Sequence, residues 1–241
     1  RERLLEVLQH TTRTPLTNIL SYAELLRDDG ELDMLARHDF ADVIFGNASR
    51  LQRLLEKSEL LVRMKSGNFQ FRQEPVDLGQ LVCTEVESAR TEANQRSVHI
   101  TADMGEPSWC SGDKQQLEVL LSTILNNAVR FSPTDGTVVV SIKRDGGFWH
   151  LRVADSGPGI SPGLMPKLFD VLSNLDSPLH NTGDGLSLCI CREIATAHNG
   201  SIHVADGSES GATIIVTLPV LSRAPAISAF EFQGSDSKNP G

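Results

Sequence analysis

Two long helical stripes open the chain. Leu4, Leu5, Leu8, Leu16, Ile19, Leu20, Leu25 and Leu26 recur at the three- and four-residue intervals of a helix face. A polar run from Arg27 to Asp33, with Gly30 at its centre, interrupts the pattern. A second stripe follows at Phe40, Val43, Ile44, Asn47, Leu51, Leu54, Leu55 and Leu61. Residues 1–66 are therefore expected to form a helical hairpin. Two helices bury only one seam, so the remaining apolar positions imply dimerisation into a four-helix bundle.

From about residue 67 short strands alternate with helices. Phe69-Gln70-Phe71 alternates, 79–93 is amphipathic, and Val98–Ile100 reads as a strand. Leu117, Leu120, Leu121, Ile124, Leu125 and Ala128 mark a helix over 115–131. Thr137–Ile142 and Trp149–Ala154 read as strands joined through Asp145-Gly146-Gly147, a hairpin signal. A helix over 185–198 and a closing hairpin of Ile202–Val204 with Thr213–Leu218 complete the pattern. The class is α+β: the helical hairpin, then an α/β sandwich over 67–220 with helices on a largely antiparallel sheet. The Ser-, Pro- and Gly-rich stretch 221–241 reads as a frayed tail.

Charge narrows the function. With 22 Lys+Arg against 31 Asp+Glu the net charge is −9, which argues against nucleic-acid binding because no basic face displaces counterions from phosphates. No run approaches the ~18–20 apolar residues of a membrane span. The chain opens on Arg1 inside a helical pattern, which reads as a fragment, with any membrane contact left to absent upstream regions. Cys83, Cys110, Cys189 and Cys191 lack metal-site spacing and read as free buried thiols of a reducing, cytoplasmic compartment.

Five clusters could carry chemistry. Pro15 lies five residues after His10 within a helical stripe. Local rules favour a boundary there, with Thr14 as N-cap and Pro15 opening a new helix; the alternative is one helix loosened beside a reactive His10. Asn126 and Asn127 sit late in an apolar helix, where they are either solvent-facing amides or a neutral oxygen ligand for Mg²⁺ beside a triphosphate. Asp155-Ser156-Gly157-Pro158-Gly159-Ile160 follows a strand, as an ordinary capped turn or as a carboxylate that receives an exocyclic amine. Gly183-Asp184-Gly185 opens a helix and could bring backbone to phosphate. Gly211-Ala212-Thr213 lies in the last hairpin.

In this order the clusters resemble a sensor histidine kinase of two-component signalling, over roughly residues 3–220. His10–Leu16 is similar to the phosphoacceptor H-box, Leu121–Ser132 to the N-box, Asp155–Ile160, Gly183–Leu188 and Gly211–Thr213 to three glycine boxes, and Leu168-Phe169-Asp170 to the F-box. Val76-Asp77-Leu78 and Gly112-Asp113 match the family spacing. The resemblance implies that the first helix continues through Pro15, and that a gyrase-type (Bergerat-type) ATP-binding domain follows the hairpin. It implies that His10 accepts a phosphoryl group from ATP and passes it to an Asp of a response-regulator receiver, and that residues 1–66 make the homodimer. Asn127 would hold Mg²⁺, Arg130 would meet the phosphates, and Phe131 would flank the nucleotide. Asp155 would read the adenine amine, and Gly157, Gly159 and Ile160 would shape the base pocket. Gly183, Gly185 and Leu186 would offer amides to the phosphates, Thr213 would join the site, and 171–182 would be an ATP lid.

Three positions depart from the family pattern. Thr11 replaces the acid after the phosphoacceptor, Thr123 replaces an earlier Asn of the N-box, and Ser187 replaces a glycine. They motivate an alternative, an impaired kinase acting as a scaffold or as a response-regulator phosphatase, in which Thr14 would orient a hydrolytic water.

Overall fold

A computed structural model describes residues 2–28, 33–67, 69–165, 168–170, 186–205 and 211–221, with backbone alone at positions 2–5, 7 and 10. Two helices, α1 (Glu2–Asp28) and α2 (Met34–Lys65), form the hairpin. α2 starts where Asp33 turns the chain extended and its carboxylate accepts from the Ala36 N–H at 2.7 Å. The helices are zipped by Tyr22 against Phe40, edge to face at 5.2 Å, and by Asn18 Nδ2 donating to Asn47 Oδ1 at 3.4 Å. Leu16, Leu20, Leu25, Phe45, Leu55 and Val62 stay 47–74% exposed in the single chain.

α1 runs through Pro15 unbroken, which overturns the boundary favoured by local rules. The proline removes the amide that would satisfy the Thr11 carbonyl, a cost of ~3 kcal/mol. Pro15 and Thr11 are both buried one turn apart, so packing overrides the local preference. The Thr12 hydroxyl donates back to the Leu8 carbonyl at 2.7 Å in the preceding turn, a bond that bends helices.

The sandwich comprises β1 (Glu74–Asp77), α3 (Leu78–Gln95), β2 (His99–Asp103), β3 (Trp109–Gly112), α4 (Lys114–Phe131), β4 (Thr137–Asp145), β5 (Phe148–Ala154), α5 (Ser187–Ala197), β6 (Ser201–Val204) and β7 (Thr213–Pro219). Its main sheet has the order β2-β4-β5-β7-β6, and β1 pairs with β3 in a separate ribbon. Only β2–β4 is parallel, and that pair is bridged by the long crossover that carries α4. Burial alternates along β4 and β5. Their inward residues Val138, Val140, Ile142, Trp149, Leu151 and Val153 share one core with Leu117, Leu120, Leu121, Ile124 and Leu125 of α4. Asp77 and Asp113 cap α3 and α4 through the N–H groups of Gly79 and Gln116. Among the described residues no helix is long and apolar enough to cross a membrane.

Two expectations need correction. Phe69–Phe71 is not a strand; the two rings pack on each other at 4.6 Å and Phe71 lies edge-on to His198. Cys83 is exposed, whereas Cys110, Cys189 and Cys191 are buried thiols outside any disulfide. Burial pushes the thiols of Cys110, Cys189 and Cys191 up to about 12, 11 and 12 respectively, so they stay protonated and inert.

His198 joins the helix ends. Its ring is 2% exposed; Nε2 lies 2.8 Å from the Asp113 N–H it accepts, and Nδ1 lies 2.7 Å from the Ile194 carbonyl. That geometry requires a neutral imidazole protonated at Nδ1. A Cβ at Gly112 would come within 2.4 Å of the ring, so glycine is required there. The hairpin meets the sandwich where α2 packs along α5. Leu54, Ser58 and Leu61, a turn apart, are its buried positions; Lys57 Nζ donates to Ser187 Oγ at 2.8 Å and Lys65 faces Glu193 at 3.4 Å. Replacing His198 by Ala orphans the Asp113 amide and opens a cavity; urea unfolding is expected to show a loss of ~2–4 kcal/mol, and an unchanged midpoint would refute the role.

Candidate nucleotide site

One pocket lies between the end of α4 and the sheet. α4 lines it with Ile124, Asn127, Ala128 and Phe131, the three- and four-residue spacing of a single helix face. Val153 and Asp155 come from the end of β5, Pro158, Gly159 and Ile160 from the turn beyond it, and Ala212 and Ile214 from the start of β7; Leu168 and Leu188 close the side. About 600 Å³ of empty space lies within, partly open to solvent. Among the described residues the lining side chains are apolar except for two, the Asn127 amide and the Asp155 carboxylate.

Asp155 is held by backbone. Its Oδ1 accepts from the Gly157 N–H at 2.8 Å and from the Ala212 N–H at 3.0 Å, while its own N–H donates to the Ala212 carbonyl at 2.9 Å. Oδ2 accepts nothing from the described residues. Burial raises the carboxyl above its usual range, and the bonds from Ala212 and Gly157 lower it only partly. The close approach explains the glycines. A Cβ on Gly211, at φ +80°, would lie 1.8 Å from the Asp155 carbonyl, and one on Gly157 would lie 2.6 Å from the Phe131 carbonyl. The site thus presents an apolar slot with one acceptor oxygen unengaged by the described residues, a chemistry that suits an apolar ring carrying an exocyclic amine.

The structure gathers Asn127, Phe131, Asp155, Gly159 and Ile160 around this slot. Gly157 stands behind it, packed on Phe131. Thr213 departs from expectation. It is buried opposite Ala154 and its neighbours Ala212 and Ile214 line the pocket instead, because strand residues alternate faces. Arg130 is not among the lining residues; its guanidinium carbon sits 5.3 Å from the centre of the Phe131 ring. Leu186 is fully buried just before α5. The Thr123 hydroxyl hydrogen-bonds the Cys191 thiol of α5. Leu168 and Phe169 are buried, and Asp170 pairs with Arg192 at 2.6 Å. Gly183, Gly185, the expected lid 171–182 and the tail 222–241 lie outside the described residues. His10 is placed by its backbone in α1; Thr11 is buried and Thr14 exposed. Sequence reasoning missed Ile124, Ala128, Val153, Pro158, Ile214, Leu168, Leu188 and Ala212 as lining, though the helix and strand periods carry the signal for the last two.

Comparisons with known proteins give a consistent result. Residues 112–222 match the family model of the histidine kinase-, DNA gyrase B- and HSP90-like ATPases. Residues 1–67 match that of the His Kinase A (phospho-acceptor) domain. The chain is 34% identical over 229 residues to the sensor histidine kinase TrcS of Mycobacterium tuberculosis, spanning 91% of this chain and 44% of that protein. It is 29% identical over 231 residues to the sensor protein KdpD of Escherichia coli, spanning 95% and 25% respectively. In fold it resembles the histidine kinase AdeS of Acinetobacter baumannii, with a TM-score of 0.71 at 20% identity over 87% of this chain and 97% of that one. The chain therefore spans less than half the length of these two curated relatives.

A carboxyl raised in the folded state holds a proton that the unfolded chain releases. Between the ordinary Asp value of ~3.9 and the raised one, unliganded stability therefore falls as pH rises. Asp155→Asn keeps the Oδ1 acceptor but sets an N–H donor against an incoming amine. Titration with an ATP analogue is expected to show affinity lower by on the order of 100-fold, while the unliganded variant melts no lower than wild type at pH 7. Undiminished affinity would remove Asp155 from base recognition.

Proposed function

We infer that this chain, which belongs to the sensor histidine kinases of two-component signalling, binds ATP in the pocket between α4 and the sheet and phosphorylates its own His10. The observation that carries this reading is the Asp155 carboxylate, with one oxygen tied to backbone and the other unengaged by the described residues, at the end of an apolar slot. The same chain carries a phospho-acceptor domain with His10 on its first helix. Neither the family models nor the relatives favour the scaffold alternative.

Each residue has a task in this reading. Asp155 accepts the adenine amine, Ile160, Leu188 and Ile214 enclose the ring, and Phe131 flanks it. Gly159 and Gly211 keep the backbone close enough to shape the slot. Arg130, beside the Asn127 turn, neutralises phosphate charge, and Gly183, Gly185 and Leu186 offer amides to it. Among the described residues no cluster of three His, Cys, Asp or Glu could hold a metal alone. A divalent ion would instead share the Asn127 amide oxygen with phosphate oxygens, an all-oxygen donor set that suits Mg²⁺. When bound, Mg²⁺ supplies charge neutralisation and alignment of the phosphates. His10 attacks the γ-phosphorus in line through an unprotonated imidazole nitrogen; the N–P bond of a phosphoramidate forms as the bond from that phosphorus to the β–γ bridging oxygen breaks, ADP leaves, and the ring N–H proton passes to water. Thr11, buried with its hydroxyl 3.4 Å from the Leu8 carbonyl, cannot take up the imidazole proton as an acid's conjugate base would. Thr14, one turn beyond His10 and exposed, takes in this reading the reverse task of orienting water on the phosphorylated ring.

Residues 1–66 act as the dimerisation and phosphotransfer unit and 67–220 as the ATP-binding unit. The exposed apolar positions of α1 and α2 are covered by a second copy, and the phosphoryl group passes to an Asp of a receiver domain on a response regulator.

Two experiments test this. Incubation with Mg²⁺ and ATP labelled at the γ position should give an alkali-stable, acid-labile phosphoprotein, lost in His10→Gln and on addition of EDTA. Equal labelling of the variant, or steady ATP turnover without phosphoprotein, would contradict it. Sedimentation should show a homodimer that Leu16→Glu with Leu20→Glu converts to monomer; a monomeric wild type would remove the bundle.

A further inference from the structure

We propose that Lys57 is a phosphate-binding residue which the hairpin contributes to the nucleotide site of its own chain, meeting the terminal phosphate of ATP together with the Ser187 hydroxyl. The proposal rests on the ATP reading above and adds a residue from outside the ATP-binding unit.

Lys57 lies on α2, yet its Nζ is 2.8 Å from Ser187 Oγ, 130 residues away in sequence. Ser187 is the first residue of α5. It stands two positions after Gly185, and its neighbour Leu188 lines the nucleotide slot. The ammonium is therefore delivered to the edge of the site, on the side where the glycine box ends.

The placement is built from several contacts. Leu54, Ser58 and Leu61 bury the same stripe of α2 on either side of Lys57. Lys65 meets Glu193 two turns further along both helices. A lysine on an open surface would lose much rotamer freedom in reaching a phosphate; here the stem is already positioned.

The hairpin register places Lys57 at nearly the level of His10 along the hairpin axis. The antiparallel contacts Tyr22–Phe40 and Asn18–Asn47 put the His10 turn of α1 level with the Gln52–Leu55 turn of α2. Lys57 is within about one helical turn of that level, roughly 5 Å along the axis. A phosphate held there meets the ammonium on one side and the Ser187 hydroxyl beside it. The hydroxyl oxygen accepts from Lys57 while its own proton donates to a phosphate oxygen. ADP lacks the group that this pair would meet, so the contact strengthens ATP binding selectively.

The test compares ADP with a non-hydrolysable ATP analogue, each with Mg²⁺, by calorimetry on the whole chain. Wild type, Lys57→Met, Lys57→Arg and Lys65→Met are measured, with thermal melts to verify folding. Lys57→Met is expected to lower the preference for the triphosphate about tenfold, the effect of losing one charged hydrogen bond, to leave ADP affinity in place, and to slow labelling of His10. Lys57→Arg should restore most of the preference. Lys65→Met, which removes the other strut between the same helices, should leave it unchanged.

An unaltered preference in Lys57→Met would overturn the proposal and make the lysine a strut. Faster labelling in that variant would overturn it as well, by making the contact a restraint. If wild type binds neither nucleotide, the ATP reading itself fails and takes this proposal with it. If wild type binds both and only the Lys57 effect is missing, the ATP reading stands alone.

Discussion

The site depends on keeping a charged carboxylate in an apolar slot. Burial disfavours the charge on Asp155 and raises its carboxyl, while two backbone N–H groups converging on one of its oxygens hold it in place. Those amides come from the turn after β5 and from the start of β7, so the same bonds fix the floor of the pocket. The second oxygen is engaged by no described residue, and in the proposed reading a ligand amine would satisfy it. In that reading recognition and local fold would be one interaction, and the glycines at 157 and 211 stand where no side chain fits between those backbones.

The same economy appears where the helices end. His198 accepts the amide that opens α4 and faces a carbonyl of the last turn of α5, while Asp113 accepts from Arg72 N–H as well as from Gln116 N–H. One neutral ring and one carboxylate therefore lock α4, α5 and the segment that follows the hairpin. α4 presents Asn127 and Phe131 to the slot, and α5 begins beside it. Packing at the far ends of these helices thereby sets the geometry of the site.

Much of this was legible in the chain. Helical periodicity gave the hairpin and the apolar stripe of α4 that includes Ile124 and Ala128, the family resemblance gave Asn127 and Phe131, and alternation gave β4 and β5. What escaped did so for physical reasons. Pro15 obeys tertiary burial over local propensity, which no window of sequence reports. The alternation of Phe69 and Phe71 is three residues long and serves ring stacking rather than a ladder. Thr213 sat in the right motif but on the wrong face of its strand, a distinction that period-two reasoning from Ala212 and Ile214 could have drawn. Leu168 reaches the slot, and Lys57 reaches Ser187, from far along the chain, and contacts of that span leave no local trace.

The central claim is that Asp155 reads an exocyclic amine. Its most direct measurement is a calorimetric comparison of ATP with the triphosphate of the purine nucleoside that lacks the 6-amino group, each with Mg²⁺ on the same protein. The account expects the deaminated ligand to bind weaker by on the order of 10–100-fold, because a buried carboxylate is left without its donor. Equal affinity for the two would contradict it.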